Sequence, residues 1–376
     1  MNNSPNNSES SSPATGLFGI PAADVARHAS SSAFGTSITA GPGSFADIDG
    51  ISIGHASEGD TGVTVIAAPS GATGAVDVRG GGPGTRETDL LAPENTVERA
   101  HAIVLAGGSA FGLAAADGVM RELRDRGIGF EITPTRPDIL VPIVPGAVIF
   151  DLLLGEPTLP TAQLGREALS HALDDDSAAS PSGTIGAGTG AMAGAIKGGF
   201  GQAKVTSADG KYFVAAAMVV NSFGAVIDDE GHLYGMPTAA GVSREALAKL
   251  DEVFVGRTKV LTEEAGQGQP SQSTRNTTIG TLVTNAPLST AQLKRLAMCG
   301  HDGLARAIRP AHAPMDGDTL FALSTGNLAE SEGLDPEVVA LLTAMAADAV
   351  QMAIVDAVLS ASGRAGVAAV SEMRAK

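Results

Sequence analysis

Residues 276–288 read NTTIGTLVTNAPL, and this stretch decides how the chain is organised. A polar segment of 14 residues, TEEAGQGQPSQSTR at 262–275, precedes it, and an apolar run opens abruptly at Thr277. The run predicts a buried strand, and Ser289 with Gln292 has the capping-box spacing of a helix over 290–308. Structureless segments as long as 262–275 are usually functional or flexible, so we expect a special role for the junction at Thr277.

The rest of the chain alternates strand-like and helix-like segments. Apolar or alternating runs predict strands at 50–55, 61–67, 75–79, 102–106, 203–207, 213–221 and 319–324, and apolar periodicity predicts helices at 110–126, 161–173, 243–250 and 336–361. This order favours a layered α/β architecture. Residues 1–40 begin with an Asn/Ser-rich stretch and are expected to be a disordered or extended tail.

Composition restricts the classes of partner. Glycine accounts for 48 of 376 residues, nearly twice the roughly 7% typical of proteins, while aromatic residues make up only 3%. The net charge of −17 disfavours nucleic acid and membrane surfaces as partners. The single cysteine, Cys299, excludes an internal disulfide and a cysteine-based zinc site. No secretory signal is visible, and we expect a cytoplasmic protein.

The apolar helix at 336–361 has the length of a membrane span. Asp348, Gln351 and Asp356 interrupt it, and small residues are frequent, which favours a helix in the core of the domain.

Three motifs have competing interpretations. Ser109, in GGSAFG, nearly matches a nucleophile elbow, but the second glycine comes one residue late, and a helix N-cap is favoured. The run RGGGPGT at 79–85 lacks the pattern of a phosphate-binding loop, so we expect it to allow close backbone approach at a cleft. Asp316 and Asp318, preceded by His312, fit either a plain turn, a metal site with ligands from elsewhere, or an acidic dyad facing one site.

The pair Asn276-Thr277 carries the most specific chemical hypothesis. Cleavage between the two residues would expose a threonine whose own α-amine could act as the base for its hydroxyl. Without further information, an ordinary strand start is the favoured interpretation of the pair.

Long motifs resemble one enzyme family. The stretch AVDVRGGGPGTRETDLL at 75–91 closely resembles the L-aminopeptidase/D-esterases, a family that includes β-peptidyl aminopeptidases and nylon-oligomer hydrolases. LAGGSAFGLAAADGVM at 105–120, NTTIGTLVTNAPL at 276–288 and MDGDTLFALSTG at 315–326 are similar to the same family. The resemblance implies an α-β-β-α sandwich of the N-terminal-nucleophile hydrolase type, formed by residues 41–376 as a single large domain. It also implies self-cleavage between Asn276 and Thr277 into fragments 1–276 and 277–376, and a homo-oligomer, often a tetramer of cleaved units.

The resemblance also implies site residues. Thr277 matches the nucleophile, Asn221 the oxyanion-hole asparagine, and Lys197 a lysine near the nucleophile in the nylon-oligomer branch. Asp316 and Asp318 match the acidic pair of that branch, whereas the aminopeptidase branch has Ser-x-Glu there. Phe150 departs from relatives that carry an active-site tyrosine.

The resemblance therefore implies a self-processing amidohydrolase of the aminopeptidase type, which releases small N-terminal residues from peptides, amides or esters through Thr277, without metal or organic cofactor. Hydrolysis of 6-aminohexanoate oligomers is the alternative within the family. A non-catalytic binding protein on the same fold is the alternative outside it.

Overall fold

The computed structural model describes residues 35–174, 180–236, 242–243, 245–249, 276–328 and 333–373. The predicted linker 262–275 and residues 1–34 of the predicted tail lie outside these ranges. The described residues form fourteen strands: β1 (Ser37–Ala40), β2 (Ser52–Glu58), β3 (Thr61–Val78), β4 (Thr85–Arg86), β5 (Arg99–Ala106), β6 (Phe130–Glu131), β7 (Leu140–Val141), β8 (Gly146–Val148), β9 (Met192–Ala193), β10 (Ile196–Lys197), β11 (Gly199–Thr206), β12 (Phe213–Asn221), β13 (Thr277–Thr284) and β14 (Thr319–Ser324).

Four longer helices accompany the strands: α1 (Ala115–Asp125), α2 (Ala162–Asp174), α3 (Thr290–Ala307) and α4 (Pro336–Ser360). A short helix, Val370–Met373, ends the described chain, and residues 245–249, inside the predicted helix 243–250, are helical. The predicted capping box of α3 is confirmed, because Ser289 accepts from the Gln292 N–H and the Gln292 side chain accepts from the Ser289 N–H. The predicted helix 110–126 is wrong at its start, since a 3-10 turn occupies Ser109–Ala114 before α1 begins.

The 18-residue strand β3 connects the two halves of the main sheet. The first half of β3 pairs with β2 on one edge and with β5 on the other. The second half pairs with β14, which lies on the same edge as β2 but further along the strand. A register shift between Ala67 and Ala72 separates the halves. The sequence predicted two strands here, and the structure has one strand that serves both halves.

Alternation along β12 divides the core into layers. Val214, Ala216, Met218 and Val220 pack in the cluster that contains α3 and α4, while Ala215, Ala217 and Val219 belong to the cluster that contains β2, β3, β5 and β8. The two sheet halves therefore face each other; the rings of His55 on β2 and Phe200 on β11, for instance, lie 4.6 Å apart.

Helices cover both outer faces. Residues of α3 and α4 pack on the half formed by β11–β14, and residues of α1 and α2 pack on β3 and β5. The four layers confirm the predicted α-β-β-α sandwich as a single layered domain, with the difference that the two sheets share β3.

The helix α4 is long and apolar enough to cross a membrane by length and composition. Residues along its length, among them Val350, Ile354 and Val358, belong to the core cluster with β11, β12 and α3. Asp356 accepts the backbone N–H of Gln202 at 2.9 Å and so fixes the helix to β11. This packing agrees with the expectation of a helix in the core of the domain.

Candidate active site

Thr277 is the first residue of β13, a central strand of the sheet. It lies opposite Asn221 of β12 in an antiparallel pair, and two residues further on β13 begins to pair with β14. Ile279 and Val283 point into the core between the two sheet halves, so the Thr277 side chain, two residues before Ile279, lies on the same face. The residue is only 5% exposed.

The Thr277 hydroxyl faces the peptide bond that precedes it. Oγ1 donates to the carbonyl oxygen of Asn276 at 2.5 Å. The backbone N–H of Gly317 donates to that same carbonyl oxygen at 3.1 Å and to Thr277 Oγ1 at 3.2 Å. One N–H group thus contacts both the hydroxyl and the carbonyl that a nucleophilic attack would join.

Asn221 is held in a fixed orientation beside this peptide. Its Oδ1 accepts the backbone N–H of Met192 at 2.9 Å, and its Nδ2 donates to the carbonyl of Phe150 at 3.2 Å. The second hydrogen on Nδ2 has no acceptor among the described residues and remains available as a donor. Phe150 contacts Asn221 through its backbone, so this contact does not depend on the missing tyrosine hydroxyl.

Asp316 and Asp318 are both buried, at 2% exposure each, in the turn before β14. Asp316 accepts from the backbone N–H groups of Ala313 at 2.9 Å and Phe223 at 3.3 Å. Asp318 accepts from the N–H of Thr278, the residue after the candidate nucleophile, at 2.7 Å. Both aspartates lie before β14, so their side chains do not follow the alternation of that strand. Both nevertheless accept hydrogen bonds from backbone N–H groups near Thr277.

Burial, followed by the charge of Asp318, raises the pKa of Asp316 from 3.8 to about 6. Its carboxyl group can therefore change protonation state close to neutral pH.

Lys197 is completely buried, and its ammonium group is surrounded by backbone carbonyls. Nζ donates to Gly188 O at 3.0 Å, Ala191 O at 2.7 Å and Gly198 O at 2.9 Å. Burial lowers the pKa of Lys197 from 10.5 to about 7. No hydrogen bond joins Lys197 to Thr277 within the described part of the chain. Lys197 lies in the same region as Asn221, because Met192 pairs with Lys197 and donates to Asn221.

The glycine run 80–84 packs directly on the acidic turn. The N–H of Gly82 donates to the carbonyl of Asp316 at 2.7 Å, and the N–H of Gly80 donates to that of Asp318 at 3.2 Å. A Cβ at Gly80 would collide with the backbone of Asp316 and Asp318. The predicted close backbone approach agrees with these contacts.

Ser109 has neither of the roles that its motif suggested. The 3-10 turn that follows β5 is preceded by Gly108, without a side-chain cap, so the predicted N-cap is wrong. Ser109 has a φ of 55°, and its hydroxyl makes no hydrogen bond to a base among the described residues. In the same parts of the chain, no group of three or more His, Cys, Asp and Glu side chains is arranged to hold a metal ion.

Two histidines belong to the surroundings of this site. His312 donates its backbone N–H to Asp318 Oδ2 at 3.0 Å, and its Nδ1 lies 2.8 Å from the same oxygen. The ring of His301, on α3, packs edge-on against it with centroids 4.8 Å apart. The sequence offered a signal only for His312, through its position ahead of the acidic pair.

Comparison with known proteins gives consistent matches. The family model of peptidase family S58 matches residues 43–371. An uncharacterized aminopeptidase of Mycobacterium leprae is 44% identical over 349 residues, covering 86% of this chain and 92% of that protein. A 6-aminohexanoate-oligomer endohydrolase of Paenarthrobacter ureafaciens is 33% identical over 293 residues, covering 75% of each chain. The solved structure of the L-aminopeptidase D-Ala-esterase/amidase from Ochrobactrum anthropi, a variant of the Ntn hydrolase fold, has a TM-score of 0.65 at 22% identity, covering 89% of this chain and 93% of that one. This last likeness concerns the fold alone.

Proposed function

Because this chain belongs to peptidase family S58, and so to the peptide-bond hydrolases, we propose that it is a self-processing amidohydrolase with Thr277 as its nucleophile. One observation carries the proposal: the Thr277 hydroxyl lies against the Asn276 carbonyl, and the Gly317 N–H donates to both oxygens. The reacting groups are thus close to each other before any cleavage.

Self-cleavage would proceed by an N-to-O acyl shift. Thr277 Oγ1 bonds to the carbonyl carbon of Asn276, and the Gly317 N–H stabilises the negative charge that forms on the carbonyl oxygen. The bond from that carbon to the Thr277 nitrogen then breaks, and the hydroxyl proton is transferred overall to this nitrogen. Water hydrolyses the resulting ester, which leaves a carboxylate on Asn276 and a free α-amine on Thr277.

The cleaved enzyme would act on substrates through the same hydroxyl. The α-amine accepts the proton as Thr277 Oγ1 attacks an amide carbonyl, and the unused hydrogen on Asn221 Nδ2 stabilises the oxyanion. The amine leaves with the proton, and water releases the acyl group from Thr277. Asp316 and Asp318 hold the surrounding backbone in register.

The contacts of Lys197 favour the α-amine over Lys197 as this base. The three hydrogens on Lys197 Nζ all donate to carbonyls, so its ammonium form is satisfied where it lies. We therefore propose that Lys197 organises the loop 188–198 beside Asn221.

For the substrate, we propose small peptides, amides or esters from which an N-terminal residue is released. The aminopeptidase of Mycobacterium leprae, which aligns over more of this chain than the endohydrolase, favours this choice. The Asp-Gly-Asp turn and the similarity to the 6-aminohexanoate-oligomer endohydrolase favour nylon oligomers as the second candidate. Assays with alanine amides, β-amino acid amides and 6-aminohexanoate oligomers separate the two, and inactivity on all of them would leave the binding-protein alternative.

Two matched variants test the nucleophile. Thr277→Val and Thr278→Val each remove one buried hydroxyl at nearly constant volume, and Thr278 Oγ1 has no hydrogen-bond partner among the described residues. We expect the wild type and Thr278→Val to yield a fragment of 100 residues that begins at Thr277, and Thr277→Val to stay intact and inactive. Intact mass after denaturing electrophoresis gives the answer. A wild type that never splits, or an active Thr277→Val, would refute the proposal.

The assembly and compartment belong to the same proposal. We expect a cytoplasmic homo-oligomer, a tetramer of cleaved units, which acts without a cofactor. The native mass in solution checks the assembly.

A further inference from the structure

His312 lies at one end of a chain of contacts that leads to the nucleophile. Its Nδ1 and its own backbone N–H both reach Asp318 Oδ2, at 2.8 and 3.0 Å. The other oxygen of Asp318 accepts the N–H of Thr278 at 2.7 Å. Through Asp318, the imidazole of His312 is thus linked to the residue that follows Thr277.

The ring of His312 is fixed from its other side. His301 packs edge-on against it, and His301 Nε2 lies 3.3 Å from the carbonyl of Asp77. Arg79, paired to the Asp77 side chain at 2.8 Å, also donates to the carbonyl of Met298 on α3. The end of β3 and the helix α3 therefore hold the two rings in place.

We propose that His312 is a positioning residue for this hydrolase: its Nδ1–H orients Asp318, and Asp318 in turn fixes the start of β13, where Thr277 lies. The inference rests on the proposed function and adds a residue to it. The donated hydrogen is charge-assisted, which makes it stronger than a hydrogen bond between neutral groups. His312 has a φ of 56°, a left-handed conformation that a non-glycine residue rarely adopts and that is often retained at functional sites.

The test compares two substitutions with different hydrogen-bonding capacity. His312→Asn keeps an N–H donor near the position of Nδ1, whereas His312→Ala removes the donor. We expect His312→Ala to lower kcat on an alanine amide by about 10- to 100-fold, with a much smaller change in KM, and His312→Asn to retain most of kcat. The control is His232→Ala, because His232 is an exposed histidine beside its own aspartate, Asp228.

Several outcomes would overturn the proposal. Equal loss of kcat in both variants would show that the side-chain donor is not what matters, and unchanged kcat in His312→Ala would show that positioning does not depend on it. If His312→Ala fails to fold, as judged by circular dichroism, a folded His312→Asn with strongly reduced kcat refutes the inference. Failure of the proposed function is recognised separately, by a wild type that does not split.

Discussion

The substitution Asp316→Asn should stabilise the folded chain near pH 8 while impairing catalysis. The pKa of Asp316 rises from 3.8 to about 6, so between these values the folded chain binds more protons than the unfolded chain. Stability therefore falls as the pH rises through this window. Each unit of pKa difference corresponds to about 1.36 kcal/mol. The difference of roughly 2 units between the folded and unfolded chain therefore lowers the free energy of unfolding by about 3 kcal/mol above pH 6.

The asparagine removes this cost and introduces a smaller one. Its amide oxygen can still accept the N–H of Ala313, which lies at 2.9 Å from the present carboxylate. Its NH2 group then faces the N–H of Phe223, whose longer bond of 3.3 Å is lost at about 1 kcal/mol. We expect Asp316→Asn to raise the free energy of unfolding by about 2 kcal/mol near pH 8 and to lower it by about 1 kcal/mol near pH 4.

Urea unfolding measures both values. In the Thr277→Val background every sample should remain one polypeptide, and the unfolding free energies of chains with and without Asp316→Asn are compared there at the two pH values. In the fully processing background, Asp316→Asn should lower kcat because the charge beside the nucleophile is lost. If the difference in unfolding free energy were the same near pH 4 and pH 8, the buried carboxyl would not carry the assigned cost.

Three further predictions concern the same region. Gly317→Ala should slow self-cleavage by about 10- to 100-fold, because the new Cβ would lie 2.9 Å from Thr277 Oγ1. Mass spectrometry over time measures the rate of cleavage. The control is Gly82→Ala, which should cleave much faster than Gly317→Ala because its Cβ would come no closer than 3.2 Å to Met315 O. Lys197→Met should destabilise the chain by about 2–3 kcal/mol more at pH 9 than at pH 6 in urea unfolding, because three buried carbonyls lose their donor at either pH, while burial lowers the pKa of Lys197 to about 7 and the original chain carries the cost of a buried cation mainly at the lower pH; an equal effect at the two pH values would contradict this. Dialysis against EDTA should leave the hydrolysis rate unchanged, because each of the four carboxylate oxygens of the acidic pair already accepts an N–H, and loss of activity would reopen the metal interpretation.

The sequence predicted strands best where a short apolar run is nearly continuous, because both faces of such a strand are buried. The strands 213–221 and 319–324 were placed at their observed bounds, since one face of each lies toward the helices and the other toward the facing sheet half. The sequence predicts two strands, 61–67 and 75–79, where the structure has the single strand β3, and Gly71, with a φ of 73°, lies in the irregular part of this strand. Strand β8 was missed because three residues carry no periodicity.

The candidate site was only partly accessible from the sequence. Motif resemblance drew attention to Thr277, Asn221 and the acidic pair, and the structure places them around the 276–277 peptide. The carbonyl cage of Lys197 could not be foreseen, because backbone oxygens leave no sequence signature. The contact between His301 and Asp77 joins residues 224 positions apart, and a histidine within an amphipathic helix does not indicate such a partner.

The position of the proposed cut explains how the fold could tolerate it. Asn276 lies outside the ladder, and its carbonyl is held only by Gly317 and Thr277 among the described residues, while pairing with β12 begins at Thr277. Fragment 277–376 contributes β13 and β14, which lie between β12 and β3 of the other fragment, together with α3 and α4. Separation of the fragments would expose many buried side chains at about 1.5–3 kcal/mol each, so they should remain associated. A cut even two residues later would break ladder hydrogen bonds on both sides of β13, whereas a cut before Thr277 creates an amine at the strand's first residue and leaves the sheet intact.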